Sequence, residues 1–134
     1  MTWMLDTNAC IRYLNGRAPH LKSRLEQTNP AEIALCSVVK AELFYGAARS
    51  YDPQKTRAQQ EIFVSRFSSL PFDDAAADAY ARIRADVTSR GVSIGPNDLL
   101  IAAIALSRGV TLVTHNVSEF SRVQGLKVED WEQP

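Results

Sequence analysis

Three carboxylates of this chain stand where apolar runs give way to polar ones. Asp6 follows Thr2-Trp3-Met4-Leu5 and opens Asp6-Thr7-Asn8. Glu42 lies one turn into Ser37-Val38-Val39-Lys40-Ala41-Glu42-Leu43, and Asp98 falls at the head of Gly95-Pro96-Asn97-Asp98-Leu99-Leu100-Ile101-Ala102-Ala103. Carboxylates far apart in sequence that share one kind of structural position can converge in the fold. Such a cluster suits one chemistry above others, the holding of a divalent cation against a phosphate. Mg²⁺ and Mn²⁺ take oxygen ligands in octahedral array, usually one or two carboxylates with water and substrate phosphate. The ion lowers the pKa of a bound water and offsets charge on the phosphate in the transition state. Without it, the carboxylates repel one another and any polyanion. A metal-dependent nuclease is the reading these residues ask to have tested.

The elements that must position them follow from patterning. Thr2–Leu5 reads as a buried strand, and Asn8–Leu14 as a short helix stopped by Asn15-Gly16. Leu21–Gln27 is a second helical piece, broken by Asn29-Pro30. Ile33–Cys36 is strand-like. Ser37 is placed to cap the helix after it, whose apolar positions Val38, Ala41, Leu43 and Tyr45 fit a buried face imperfectly. A helix is expected over Gln54–Phe67, an extended piece over Leu70–Phe72, and a helix capped by Asp73 or Asp74 over Ala75–Ser89. Pro96 opens an almost wholly apolar helix that runs to Arg108-Gly109. Val110–Thr114 is the clearest strand; a polar turn, Asn116–Phe120, and a last strand near Leu126–Val128 follow. Strands alternating with helices indicate a three-layer α/β/α fold with a central parallel sheet. In such sheets sites form outside the carboxyl ends of the strands. Asp6, Glu42, Asp98 and a fourth acid, Glu119, can meet on that edge.

Bulk properties set bounds on this reading. A chain of 134 residues is expected to form a single domain over residues 1–134. Its 46% hydrophobic and 22% charged content is that of an ordinary folded protein. Fifteen basic and fifteen acidic residues cancel, which excludes coating of nucleic acid by overall charge but leaves room for a local basic rim. Arg12, Arg17, Lys40 and Arg49 are candidates to rim the acidic edge and meet phosphates, though each also reads as an ordinary solvated charge. Cys10 and Cys36 lie in apolar surroundings without CxxC spacing and read as buried thiols. No apolar run approaches the roughly 20 residues needed to span a membrane, and no charged-then-apolar leader opens the chain, so a cytoplasmic location is expected.

Taken together, Leu5-Asp6-Thr7-Asn8, Ser37-x-x-x-Ala41-Glu42-Leu43-x-x-Gly46, Ile94-Gly95-x-Asn97-Asp98-x-x-Ile101-Ala102-Ala103 and Leu112-Val113-Thr114-x-Asn116-x-x-Glu119-Phe120 resemble the PIN-domain ribonucleases. The ending Phe120-x-Arg122-Val123-x-Gly125-Leu126-x-x-Glu129-Asp130-Trp131 narrows the resemblance to the VapC toxins of bacterial type II toxin–antitoxin pairs. It spans nearly the whole chain. The resemblance implies a PIN-like fold and an endoribonuclease dependent on Mg²⁺ or Mn²⁺. Asp6, Glu42 and Asp98 would form its acidic triad, with Asp6 and Asp98 as metal ligands. Thr7 and Asn8 would steady the first carboxylate through hydrogen bonds, with Asn116 also placed around the metal-binding groups rather than on the ion. The family often carries a fourth acid where this chain has Asn116, and Glu119, one helical turn on, is the residue that can take that role. The resemblance further implies an RNA substrate, initiator tRNA cut in its anticodon stem-loop. It also implies a VapB-like antitoxin as partner, bound along a groove of the early helices, and a homodimer.

Plainer readings stand beside these. Asp6 can cap the helix it precedes, and Asp98 near a helix N-terminus is favoured by the helix dipole whatever its use. Glu42 could pair with Lys40 or Arg49, and Glu119 could be a solvated turn carboxylate. His115 is of the residue type that serves as a general base near neutral pH, a role that metal-bound water makes unnecessary. A phosphatase using Asp6 as nucleophile expects a second aspartate two residues on, where Asn8 stands. The non-enzymatic alternative is a catalytically weak PIN-like module whose acidic pocket mainly binds an antitoxin arginine.

Overall fold

The protein, described over residues 1–134 by a computed structural model, carries five short strands. They are β1 (Trp3–Leu5), β2 (Ile33–Cys36), β3 (Ser68–Leu70), β4 (Thr111–Val113) and β5 (Val128–Glu129). Between them lie helices α1 (Thr7–Leu14), α2 (Pro19–Gln27), α3 (Ser37–Ala48), α4 (Pro53–Val64), α5 (Asp74–Ser89), α6 (Pro96–Arg108) and α7 (Val117–Phe120). Every strand pair is parallel, and the order across the sheet is β3-β2-β1-β4-β5. The chain starts at the middle of the sheet, winds outward to β2 and β3, then crosses back to β4 and β5. Right-handed crossovers taken in opposite directions from β1 place the two sets of helices on opposite faces, which gives the expected three layers. No helix is long and apolar enough to cross a membrane.

Local chemistry sets the helix starts. Asp6, Asp52 and Asp73 each accept a hydrogen bond from the backbone N–H three residues on, at 2.8, 3.2 and 2.9 Å, and so cap α1, α4 and α5. Pro19, Pro53 and Pro96 occupy first helical positions, where a missing N–H costs nothing. Gly109, at φ 66°, closes α6 in the left-handed conformation. The sheet is buried on both faces, as parallel sheets are: Met4, Leu5, Ala34, Leu35, Leu112 and Val113 are at most 1% exposed. On α6, Ile101 to Ala105 are wholly buried, in keeping with its apolar composition.

Most bounds shift by a residue or two from the sequence reading, and β5 is Val128–Glu129 rather than Leu126–Val128; four differences have a local cause or consequence. The extended piece is Ser68–Leu70 rather than Leu70–Phe72, because Pro71 has no N–H to give the ladder. The helix α4 ends at Val64, short of Phe67. Ser37 is the first residue of α3 rather than its cap; Cys36 occupies the cap position and makes no side-chain bond there. The polar turn after β4 contains the one-turn helix α7. The buried stripe of α3 is Val39, Leu43 and Ala47, so the face is rotated from the Val38-Ala41-Leu43-Tyr45 expectation, and Ala41 and Tyr45 are exposed.

The core position of α6 is testable. Ile104→Ala, at a side chain with no exposed surface, is expected to cost about 2–5 kcal/mol of stability. Urea unfolding should show a lowered midpoint with an unchanged slope.

Candidate active site

In a sheet wound both ways from β1, the crevice lies at the carboxyl ends of β1 and its neighbour β4, where the strand order reverses. Asp6 stands there, its N–H bonded to the carbonyl of Val113 at 3.1 Å. Around it opens a cleft of about 790 Å³ lined by Asp6, Thr7, Asn8, Glu42, Asp98 and Asn116 among others. The sequence thus places three of its four acids on one cavity. Glu119 is not on the lining but directly beside it. A Cβ built on Gly95 would stand 3.5 Å from a carboxylate oxygen of Asp98 and 3.7 Å from one of Glu119.

Three of the four acids are held by neutral donors. Asp6, only 4% exposed, accepts from the Ala9 N–H at 2.8 Å, and the buried Thr114 hydroxyl lies beside it. It caps a helix and faces the cleft at once. Glu42 accepts from the Thr7 hydroxyl at 2.6 Å; it pairs with neither Lys40 nor Arg49. Asn8 lines the cleft but makes no side-chain bond to Asp6, so the expected support from Asn8 is not formed in this state. Thr7 supports Glu42 rather than the first carboxylate. Asn116 donates its amide to Glu119, whose other oxygen accepts from the Gly95 N–H at 2.8 Å. Glu119 is therefore no free turn carboxylate; it ties α7 to the start of α6.

The helix α3 presents two stripes. Val39, Leu43 and Ala47 face the core, while Val38, Glu42, Tyr45, Gly46 and Arg49 recur at helical spacing along the cleft. This second stripe explains why an acid sits on an otherwise apolar helix. Arg49 is the one basic residue on the lining, its guanidinium 5.2 Å from the Tyr45 ring centroid. Arg12 is instead bonded to Glu132 at 2.5 Å. His115 is turned away, 3.0 Å from Asp130. Two contributors escaped the sequence reading. Thr114 was seen only as part of a polar strand end, although a hydroxyl one residue past a buried strand and level with Asp6 was the available signal. Gly95 gives its N–H to Glu119 and has no side chain between the two carboxylates; the Gly-Pro pair marked the turn but not that contact.

Electrostatics follow from the geometry. Burial, reinforced by the charges of Glu132 and Glu42, pushes Asp6 from 3.8 to about 6 against its hydrogen bonds. Burial and then the charge and hydrogen bond of Glu119, with smaller contributions from Glu42 and Asp6, push Asp98 from 3.8 to about 7. None of the four acids takes part in an ion pair with a basic side chain. Hard carboxylate oxygens, crowded and without a counter-charge, are the donor set a divalent cation such as Mg²⁺ or Mn²⁺ requires. The thiols are not part of it: Cys10 and Cys36 are buried, and burial pushes Cys36 up to about 11.

Comparison with known proteins identifies the family and supports the fold. The PIN domain family model matches residues 3–126. The chain is 38% identical over 131 residues, 98% of both chains, to the tRNA(fMet)-specific endonuclease VapC of Salmonella typhimurium. It is 41% identical, with the same coverage, to the protein of that name from Shigella flexneri. Among solved structures, it superposes on DNA-bound VapBC from Salmonella typhimurium with a TM-score of 0.93 at 38% identity, covering 98% of each chain. The corresponding TM-score for VapBC2 from Rickettsia felis bound to a promoter DNA fragment is 0.91 at 35% identity, covering 98% of this chain and 99% of that one.

The raised carboxyl pKa values give a signed expectation for the metal-free protein. Their folded values, about 6 and about 7, exceed the ordinary 3.8, so between these limits the folded state binds more protons than the unfolded one. Their contribution to stability is full below about 3.8 and declines as pH rises. It is lost above about 7. In EDTA, Asp98→Asn should therefore raise the melting temperature more at pH 8 than at pH 5. An equal effect at both pH values would show that Asp98 carries no such strain.

Proposed function

The chain belongs to the PIN-domain family and, within it, to the VapC proteins, and from that premise we propose that it is a divalent-metal-dependent endoribonuclease, the toxin of a type II toxin–antitoxin pair. The observation that carries the reading is the gathering of Asp6, Glu42 and Asp98 in one cleft, with Glu119 against Asp98 and none of the four in an ion pair. Asp6 and Asp98 are the proposed ligands of Mg²⁺ or Mn²⁺, with Glu42 and Glu119 completing the catalytic set. A bound ion supplies Lewis acidity and activates water at neutral pH.

The chain's own residues do the remainder. The Thr7 hydroxyl fixes the Glu42 carboxylate, and the Ala9 N–H with Thr114 fixes Asp6, so that both stand preorganised at the cleft floor. Asn116 and the Gly95 N–H orient Glu119 towards Asp98. Arg49 at the rim is placed to meet an RNA backbone phosphate, and the exposed Tyr45 ring beside it to meet a base. In the proposed hydrolysis the P–O3′ bond breaks. Water provides the new oxygen of a 5′-phosphate, and the leaving oxygen takes a proton to become a 3′-hydroxyl.

The substrate proposed is initiator tRNA, cut in its anticodon stem-loop, by analogy with the relatives named tRNA(fMet)-specific endonucleases. The VapBC complexes with a similar fold support a VapB-like antitoxin as partner. A homodimer in the cytoplasm completes the proposal. The same unneutralised acids would also accept an antitoxin guanidinium, which competes with metal for those oxygens. Titration calorimetry of antitoxin-free protein with Mn²⁺ separates an enzyme from a module that only binds its partner.

With tRNA(fMet) and Mg²⁺, the purified protein is expected to give one major cut that EDTA abolishes and added Mn²⁺ restores. Asp6→Asn and Asp98→Asn should each lower the rate roughly 10²- to 10³-fold without loss of fold. Cleavage that persists both in EDTA and in Asp6→Asn would sink the proposal. Thr7→Val, which frees the Glu42 carboxylate, should reduce metal affinity or activity by about 10- to 100-fold.

A further inference from the structure

We propose a second cation site on this chain, formed by His115, Asp130 and Glu132, that takes a borderline transition-metal ion of the Zn²⁺ class. It lies outside the acidic cleft, between the connection that follows β4 and the segment that follows β5. His115 Nδ1 is 3.0 Å from Asp130 Oδ2 and 4.0 Å from Glu132 Oε2. One ligand atom from each residue lies within 4.8 Å of the others. Ligands held about 2.0–2.1 Å from a zinc ion stand roughly 3.3 Å apart, so side-chain shifts of up to about 1.5 Å convert this constellation into a coordinated one.

The observation that points to a ligand is the state of Glu132. Its side chain is only 10% exposed; Oε1 accepts from Arg12 at 2.5 Å, whereas Oε2 is buried without any hydrogen-bond partner. A carboxylate oxygen stripped of water and given no donor is costly, and such atoms are few in native folds. Protonation of His115 does not resolve it. That nitrogen already faces Asp130, and 4.0 Å is too long for a hydrogen bond to Oε2. A cation shared by the three atoms does. The charge fits as well, since two carboxylates against the Arg12 guanidinium leave one negative charge to be met.

The site is built and reachable. Asp130 is oriented by the Glu132 N–H on Oδ1 at 2.9 Å and by Gln133 on Oδ2 at 3.2 Å. The His115 side chain is 57% exposed, and a cavity of about 430 Å³ lined by Asn8, Arg12, His115 and Asn116 adjoins it. One imidazole with two carboxylates is a donor set for zinc rather than for magnesium, which prefers oxygen ligands and keeps its waters. Asn8 and Asn116 line both this cavity and the acidic cleft. A bound ion therefore fastens the chain's last residues to the loop that carries Asn116.

The test uses the full chain with Asp6→Asn and Asp98→Asn, which disables the acidic cleft, and ZnCl₂ as the probe. Calorimetry is expected to show one Zn²⁺ per chain, undisturbed by millimolar Mg²⁺, together with a raised melting temperature. Adding His115→Ala, at an exposed side chain the fold does not need, should weaken binding by about tenfold or more. It should also erase the visible absorption of the Co²⁺-substituted protein. Glu132→Gln should weaken binding likewise. Failure of the cleft-disabled chain to bind Zn²⁺, or binding that His115→Ala leaves unchanged, overturns the proposal. Either result leaves the ribonuclease reading where it was, since that rests on Asp6 and Asp98.

Discussion

Four carboxylates brought together at one sheet edge repel one another, and much of the local structure serves to hold them there. The restraints are all neutral. A backbone N–H holds Asp6, a hydroxyl holds Glu42, and an N–H and an amide hold Glu119. Asp98 stands in the first turn of α6, where the helix dipole favours negative charge. Neutral donors fix position and partly offset the repulsion, but they do not discharge the site. A guanidinium in their place would have stabilised the cluster more directly and filled it. The negative potential that remains is of the kind that suits a small divalent cation.

Rigidity comes from the sheet rather than from loops. Leu5, Cys36 and Val113 are at most 1% exposed, and the site residues begin one position beyond them. Asp6 and Thr114 thus inherit the register of β1 against β4, and Glu42 inherits the direction in which α3 leaves β2. A site carried on buried strand ends is held to finer tolerances than one on surface loops. The cost appears on α3, which must serve the core with one stripe and the cleft with another. Tyr45 is left 66% exposed as a result.

This division of labour decides how much could be read from the chain. Strand-to-helix alternation and the capping residues Asp6, Asp73 and Gly109 are local signals, so the layers, the parallel sheet and most helix bounds were legible. So was the convergence of Asp6, Glu42 and Asp98, because each follows or adjoins a recognisable element. The buried face of α3 was misread because two apolar stripes share one helix and blur its periodicity. The bond from Thr7 to Glu42 spans 35 positions, and nothing local in Asp6-Thr7-Asn8 reveals that Thr7 turns to a different acid from its neighbour. Long-range hydrogen bonds of this kind depend on packing angles that spacing does not encode.

The fourth corner pairs an amide with an acid. Asn116 holds Glu119 rather than leaving it a free carboxylate. Its neutral amide grips Glu119 from three residues away, and the Gly95 N–H takes the other oxygen, so the carboxylate is presented from α7 instead of from the strand end. The arrangement requires residue 116 to stay neutral. A second carboxylate there would face Glu119 instead of binding it, and would add to the charge that, after burial, raises Asp98 to about 7. It would also remove the donor that aims Glu119. Asn116 and Glu119 therefore form one hydrogen-bonded unit, an acid and its support within a single helical turn.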